Sequence, residues 1–306
     1  MTATVLGIRV TDAQLARWRG WVMPPVQPFL LTAAEAQSVK RVARSRRLTP
    51  ELRDTFQLYA LPGTGVSAAE VESSGDQDQG DDVHAADDAA PHSAPDVARR
   101  PAPIEAGGAG EPQRTSLIWL DRRGARLLSP KARAAQPTKH RWPGKHPERS
   151  RERDTARTIR WIEDGLPASQ HSEVSEATWR RARAVLPEAR RIAGRFPARS
   201  GPNCFGMVMG AAGADGAEKA WMQRESFERW LRETTITGGN DDNPGTVLVW
   251  RGIDGAAEHA AITLGDGWLL NKATQSWCAP VTVLPVREGI NASRAPGRRL
   301  ERHTIA

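Results

Sequence analysis

The stretch from Asn243 to Val286 constrains this chain more than any other. It holds apolar runs of strand length, Thr246–Arg251, His259–Leu264, Trp268–Lys272 and Val281–Val286, separated by turn residues and a polar loop. Only Gly265, Asp266 and Gly267 stand between the second and third runs. So short a connection makes an antiparallel hairpin. If those three residues form the loop, Leu264 faces Trp268 and Ala261 faces Asn271. His259, two residues before Ala261, then shares a face with Asn271 as a diagonal neighbour about 7–8 Å away at the backbone. Asn271 can reach a ring nitrogen of His259 from there. A two-residue loop would put the pair on opposite faces.

A second feature lies upstream, in Gly201-Pro202-Asn203-Cys204. Pro202 and Asn203 are helix-start residues, and Asn203 is a natural N-cap. Cys204 falls in the first turn, and the residues beyond it are apolar on every face, so the helix is expected to be buried all round. Gly206 and Gly210 allow another backbone to come close. A lone cysteine on such a helix is ordinarily a small core residue. At a helix N-terminus, however, the dipole and the free N–H groups favour the thiolate. A downstream histidine, oriented by an asparagine on one hairpin face, completes the pattern of nucleophile, base and orienting group.

The order of these motifs resembles the NlpC/P60 group of papain-like cysteine peptidases and amidases. The matching residues are Cys204 at the start of its helix, Pro244-Gly245-Thr246-Val247-Leu248-Val249-Trp250, His259 through Gly267, and Asn271 at the third polar position. The resemblance covers roughly residues 200–290. It implies Cys204 as nucleophile, His259 as general base and Asn271 as orienting group. It also implies an α+β, papain-like fold with the cysteine-bearing helix on an antiparallel sheet. The chain departs from the family at Asn203 and Phe205, where Asp and Ser or Gly are common, and at Asn271, where His is more frequent. The family's substrate-binding tyrosine is unmatched, Tyr59 being the only tyrosine. The expected substrate is thus a peptide, amide or ester, a peptidoglycan-derived peptide among them. Thr274 and Gln275 stay open as alternatives to Asn271. Nothing calls for a metal or cofactor.

The rest of the chain divides by composition. Residues 1–62 form a small, mostly helical region of unassigned role, with helices expected over Thr11–Trp21 and Thr32–Arg47 and a strand over Phe56–Leu61. Residues 63–115 hold eight acidic residues between Glu70 and Asp88, then a Pro/Ala/Gly-rich run. Such a segment buries too little apolar surface to offset its ordering entropy, and a disordered linker is expected. Residues 116–170 suggest a hairpin, Ser116–Leu120 with Ala125–Leu128, and a basic connector that includes a helix over Arg149–Asp164. Residues 171–306 make up the hydrolase domain, with a helix over Ser175–Leu186. Within it Trp221, Phe227, Trp230 and Leu231 are expected in the core.

Charge and cysteine usage bound the partners. The net charge is +7, and a basic run at 131–160 surrounds Trp142. That run reads first as a solvated helix face, with nucleic acid as the weaker alternative. His140 and His146 are expected to be exposed within it. His171 has no evident partner, and Asp241-Asp242 reads as a solvated turn. Two cysteines, Cys204 and Cys278, make neither a disulfide framework nor a zinc site, and Cys278 reads as a core thiol. No run reaches the roughly 18 apolar residues of a membrane span, and no standard signal peptide is visible. The expectation is a chain made in the cytoplasm. It would be exported by a non-standard route if it serves as a toxin or effector, with residues 1–62 meeting a protein partner. A catalytically inactive binding module of the same fold is the remaining class.

Overall fold

The structure, a computed structural model, describes residues 3–59 and 116–306. Strands β1 (Ala3–Val5) and β2 (Ile8–Val10) pair antiparallel around a turn at Leu6 and Gly7, both at positive φ. Thr11 then caps α1 (Asp12–Val22) through a capping box with Gln14, and α1 buries Leu15, Trp18 and Val22. After β3 (Val26–Leu31), Thr32 caps α2 (Ala33–Val39) in the same way with Glu35. The helix expected to reach Arg47 stops at Val39. A 3-10 turn over Lys40–Val42 follows, and the N–H of Arg44 is drawn to the carbonyl of Trp119 at 2.8 Å. The strand expected over Phe56–Leu61 is also overturned. Thr49 and Pro50 start α3 (Pro50–Phe56), Phe56 closes it, and Gln57 takes the left-handed conformation at φ 55°. Thr-Pro before an acidic residue was a helix-start signal that outweighed the β-propensity of Phe56. Residues 60 and 61, and the 63–115 segment read as a linker, lie outside the described residues.

The expected hairpin over 116–128 does not form. β4 (Ser116–Asp121) pairs with β3 instead, from Val26 opposite Asp121 to Leu31 opposite Ser116. Asp121 caps the short α4 (Arg122–Ala125), its Oδ1 accepting the Gly124 N–H at 2.8 Å, so the chain turns into a helix where a return strand was expected. α5 (Pro130–Ala134) and α6 (Pro147–Glu163) follow, then α7 (Glu176–Arg183) and α8 (Ala189–Ile192). Trp161 and Ile162 of α6 share a core with Leu15, Trp18 and Val22 of α1 and with Trp277.

The remaining elements are α9 (Cys204–Ala211), α10 (Arg224–Thr234), β5 (Thr235–Thr237), β6 (Pro244–Arg251), β7 (Ala257–Gly265), β8 (Trp268–Lys272), β9 (Val281–Pro285), α11 (Val286–Ala292) and β10 (Arg299–Ile305). The six strands form one antiparallel sheet in the order β5-β10-β6-β7-β8-β9. β10 was not legible as a strand. Its residues are mostly charged or polar, and its place is held by pairing to both neighbours and by ion pairs such as Arg302–Asp241 at 2.7 Å. That pair also ties down the acidic turn at Asp241. The chain is a mixed helix-and-sheet protein.

The sheet is apolar on both faces. On one, Val247, Val249, Ala260, Ile262, Leu270, Val281 and Val283 meet Cys204, Phe205, Met207 and Val208 of α9. On the other, Leu248, Trp250, Ala261 and Leu269 meet Val286, with Ile290 and Leu300 beside them. The close approach expected at the α9 glycines is real: a Cβ on Gly206 would lie 2.3 Å from the Ala217 carbonyl oxygen. Phe227 and Leu231 of α10 join the core, Phe227 stacking on Phe205 at 4.5 Å. Trp230 is half-buried, and Trp221 remains 43% exposed, against expectation. Trp221 precedes α10 and so lies off its buried face, under the Arg53 guanidinium at 5.4 Å. No helix among the described residues is long and apolar enough to cross a membrane.

Candidate active site

The β7–β8 hairpin fixes the relation between His259 and Asn271. Ile262 pairs with Leu270 and Thr263 with Leu269, so the register continues to Ala261 opposite Asn271. The loop itself differs from the expected one. Gly265, not Leu264, pairs with Trp268, leaving a two-residue turn of Asp266 and Gly267, both at positive φ. A register shift between Thr263 and Gly265 supplies the extra residue. The bulge thus restores the face that a plain two-residue turn would have lost. Asp266 is held by the Thr178 hydroxyl and by Arg181 of α7.

His259 Nε2 and Asn271 Oδ1 lie 3.0 Å apart, both side chains buried. Because the amide oxygen only accepts, Nε2 carries the proton and Nδ1 keeps its lone pair. Trp250, opposite His259 on β6, packs its ring 5.2 Å from the imidazole. The Thr274 hydroxyl accepts the Ser276 N–H at 3.1 Å, and of the three candidates it is Asn271 whose side chain lies at His259 Nε2.

Cys204 is the first residue of α9. Asn203 caps that helix, its Oδ1 accepting the Gly206 N–H at 3.0 Å while its Nδ2 donates to Met222 O at 2.8 Å. Cys204 shares its core with Ala260, and the backbone N–H groups of Ala260, Phe205 and Cys204 itself favour its thiolate. Ala260 is the residue after His259, and consecutive strand residues point to opposite faces. Cys204 therefore packs with Ala260, while His259 and Asn271 point to the other side. No hydrogen bond joins the thiol to the imidazole among the described residues. A cavity of about 150 Å³ opens on the histidine side, lined by His259, Asn271, Thr282, Leu166, Pro167 and Ser293 among others, and Cys204 does not line it.

Burial dominates the electrostatics of the site. It pushes the Cys204 thiol up to about 11, against the backbone N–H groups and the positive charge of Lys272. The acidic thiol expected from the helix N-terminus is thus not present, because desolvation outweighs the dipole. Burial also pushes His259 down to about 4; the Asn271 hydrogen bond opposes this, and the charge of Arg298 adds to it. Both groups are neutral near pH 7.

Lys272 and Asp54 were not singled out from the sequence. Lys272 is 1% exposed, and its Nζ donates to Ala279 O at 2.6 Å. A lysine on a strand otherwise read as buried was the available signal. Asp54 of α3 is buried beside Arg53, at 3.0 Å, and no pattern in residues 1–62 linked it to the sheet. Cys278 is a core thiol, 3% exposed, with the Ser276 hydroxyl at 3.1 Å.

The other histidines follow expectation only in part. His146 is exposed. His140 is half-buried, stacked on Phe29 at 3.8 Å, with Nε2 at 2.8 Å from Pro28 O. Its basic neighbours had suggested a solvated segment, but β3 draws the ring in. His171 lies 3.1 Å from the Ser169 hydroxyl and covers Gly194. Part of the basic run is structural: buried Asp154 accepts the Gly144 N–H at 2.7 Å and pairs with Arg157 at 3.4 Å. Among the described residues no cluster of His, Cys, Asp or Glu could hold a metal ion. Compared with known protein families, curated proteins and solved structures, the chain has no match.

Proposed function

We propose that the chain is a papain-like cysteine hydrolase that cleaves an amide or ester by nucleophilic acyl transfer. The observation that carries this reading is the buried His259–Asn271 hydrogen bond at 3.0 Å, formed next to Ala260, which packs in the core that contains Cys204. Asn271 leaves Nδ1 of His259 as the basic atom. With thiol and imidazole both neutral, the proton moves from Cys204 Sγ to Nδ1 as sulfur attacks the carbonyl carbon, rather than from a preformed ion pair. The protonated imidazole then returns the proton to the leaving amine or alcohol, and water releases the acyl group. The backbone N–H of Cys204, at a helix start, is the candidate oxyanion donor. Because His259 and Cys204 lie on opposite faces of β7, turnover requires the β7 backbone to rearrange so that Nδ1 reaches the thiol; rotation of the imidazole alone does not bring it there.

The test is a panel of peptide amides, esters and muropeptides, with the acyl-enzyme trapped and located by mass spectrometry. The wild type is expected to carry the adduct on Cys204, Cys204→Ala to be inactive, and Asn271→Ala to lose about 100-fold in kcat, the lower end of a general-base contribution. Full turnover by Cys204→Ala on a substrate that the wild type cleaves sinks the assignment. One observation favours a second reading, a binding module of the same fold: the thiol is raised to about 11 and makes no bond to His259. That reading expects no acyl-enzyme on any member of the panel.

A further inference from the structure

Lys272 is the buried charged group that this reaction leaves without a task. It is two residues from Leu270 on β8, so both side chains point to the same face, and Leu270 belongs to the core that contains Cys204. Val281, opposite Lys272 on β9, belongs to that core too. The β7–β8 register, with Ile262 opposite Leu270, continues to Ala260 opposite Lys272, and Ala260 packs in the core that contains Cys204. The lysine therefore sits on the thiol's side of the sheet, while His259 points to the other. Its Nζ is anchored by a single carbonyl, Ala279 O, at 2.6 Å. The titratable groups whose charge acts on it are Cys278 from the loop after β8, Cys204 from α9 and Asp54 from α3, itself paired with Arg53.

We propose that Lys272 is the positioning charge of the Cys204 thiol: its ammonium, held by Ala279 on the thiol's side of the sheet, stabilises the thiolate and sets the pH dependence of its attack. The physical basis is that a unit charge in a water-poor layer acts on its neighbours with little screening. Burial lowers Lys272 to about 8, while Cys278, Cys204 and Asp54 oppose the loss of its charge, so the ammonium persists at neutral pH. Above that point the thiolate loses its counter-charge. The proposal rests on Cys204 being the nucleophile, but its test reads the thiol itself rather than turnover.

The experiment is alkylation of Cys204 by iodoacetamide from about pH 6 to about pH 11, resolved from Cys278 by peptide mass spectrometry. In the wild type the rate climbs with pH, flattens above about 8 as Lys272 loses its proton, and climbs again toward the thiol's own ionisation. Lys272→Met is expected to label about tenfold more slowly near neutral pH and to show one uninterrupted climb, its midpoint about one unit higher. Lys272→Arg keeps a charge at every pH and is expected to label near neutral pH at about the wild-type rate, with no flattening. A Lys272→Met protein with wild-type circular dichroism and the wild-type profile overturns the proposal. If neither variant folds, the wild-type profile alone decides, and a single climb through pH 8 overturns it. A lysine-dependent profile without turnover on any substrate would leave this inference standing and remove the hydrolase reading. Turnover through Cys204 with no lysine dependence would do the reverse.

Discussion

Water is excluded from the ionisable side chains of the site, and that exclusion sets their charge. His259 and His140 are both pushed down to about 4, chiefly by burial. A histidine whose folded pKa is depressed contributes stability above its unfolded pKa, near 6.5, and that stability is lost as pH falls through the folded value. Unfolding free energy should therefore drop between about pH 6.5 and pH 4, by about 1.4 kcal/mol per pH unit for each histidine. Urea melts across this window measure the slope, and His140→Phe should reduce it by one proton. A wild-type slope of zero would mean that neither ring is buried neutral in solution. At this scale the sequence was informative where geometry is local. Asn271 could be placed within reach of His259 because a strand alternates with period two. It was uninformative about ionisation, because desolvation depends on what covers a side chain, and that comes from distant segments.

At the scale of single elements, the β7–β8 hairpin and α9 depend on close backbone geometry. The hairpin needs Asp266 and Gly267 at φ 52° and 78° and a bulge before them. Composition announced a tight turn but did not show how the extra residue would be absorbed. Ladder pairing decided that, by leaving Leu264, which stays in the core, as the extra residue between the paired Thr263 and Gly265. The α9 helix is gripped at Gly206, where an added methyl would fall 2.3 Å from Ala217 O. Gly206→Ala should destabilise the protein by about 1–3 kcal/mol despite its better helix propensity, because the crossing backbone must shift. Chemical denaturation reads this directly. A neutral or stabilising effect would show that the 217–219 turn yields freely. Because Gly206 follows Cys204 by two residues, the same change should also slow Cys204 labelling or acylation.

Across the whole molecule, Trp277 joins the N-terminal region to the sheet. Its indole is fully buried, its Nε1 donates to Thr55 Oγ1 at 3.1 Å, and its ring lies 4.9 Å from Trp21 and 5.7 Å from Trp161. One side chain in the β8–β9 loop thereby meets α1, α3 and α6. The backbone N–H of Ser200, just before α9, reaches Glu51 of α3 at 3.3 Å. Trp277→Ala should cost about 3–5 kcal/mol. It should also raise hydrogen exchange in α1 and α3 well before β6 and β7, whose side chains pack in the two sheet cores and not in the Trp277 cluster. Uniform loss of protection across all four elements would mean that the region and the sheet unfold as one unit without a weak seam.

By itself, the sequence determined that a tight hairpin forms, the cap and start of α9 and the burial of that helix; it reached the shared face of His259 and Asn271 through a loop one residue too long, which the bulge offsets. Each of these follows from spacing within a few residues, which backbone geometry converts directly into position. Only the tertiary structure decided the rest. It placed the thiol and the imidazole on opposite faces of β7, put Lys272 on the thiol's face, and paired β3 with β4 across some eighty-five residues of chain. Those relations are settled by which surfaces cover one another, and burial there overrides the local signals, so that a helix N-terminus alone did not make Cys204 acidic.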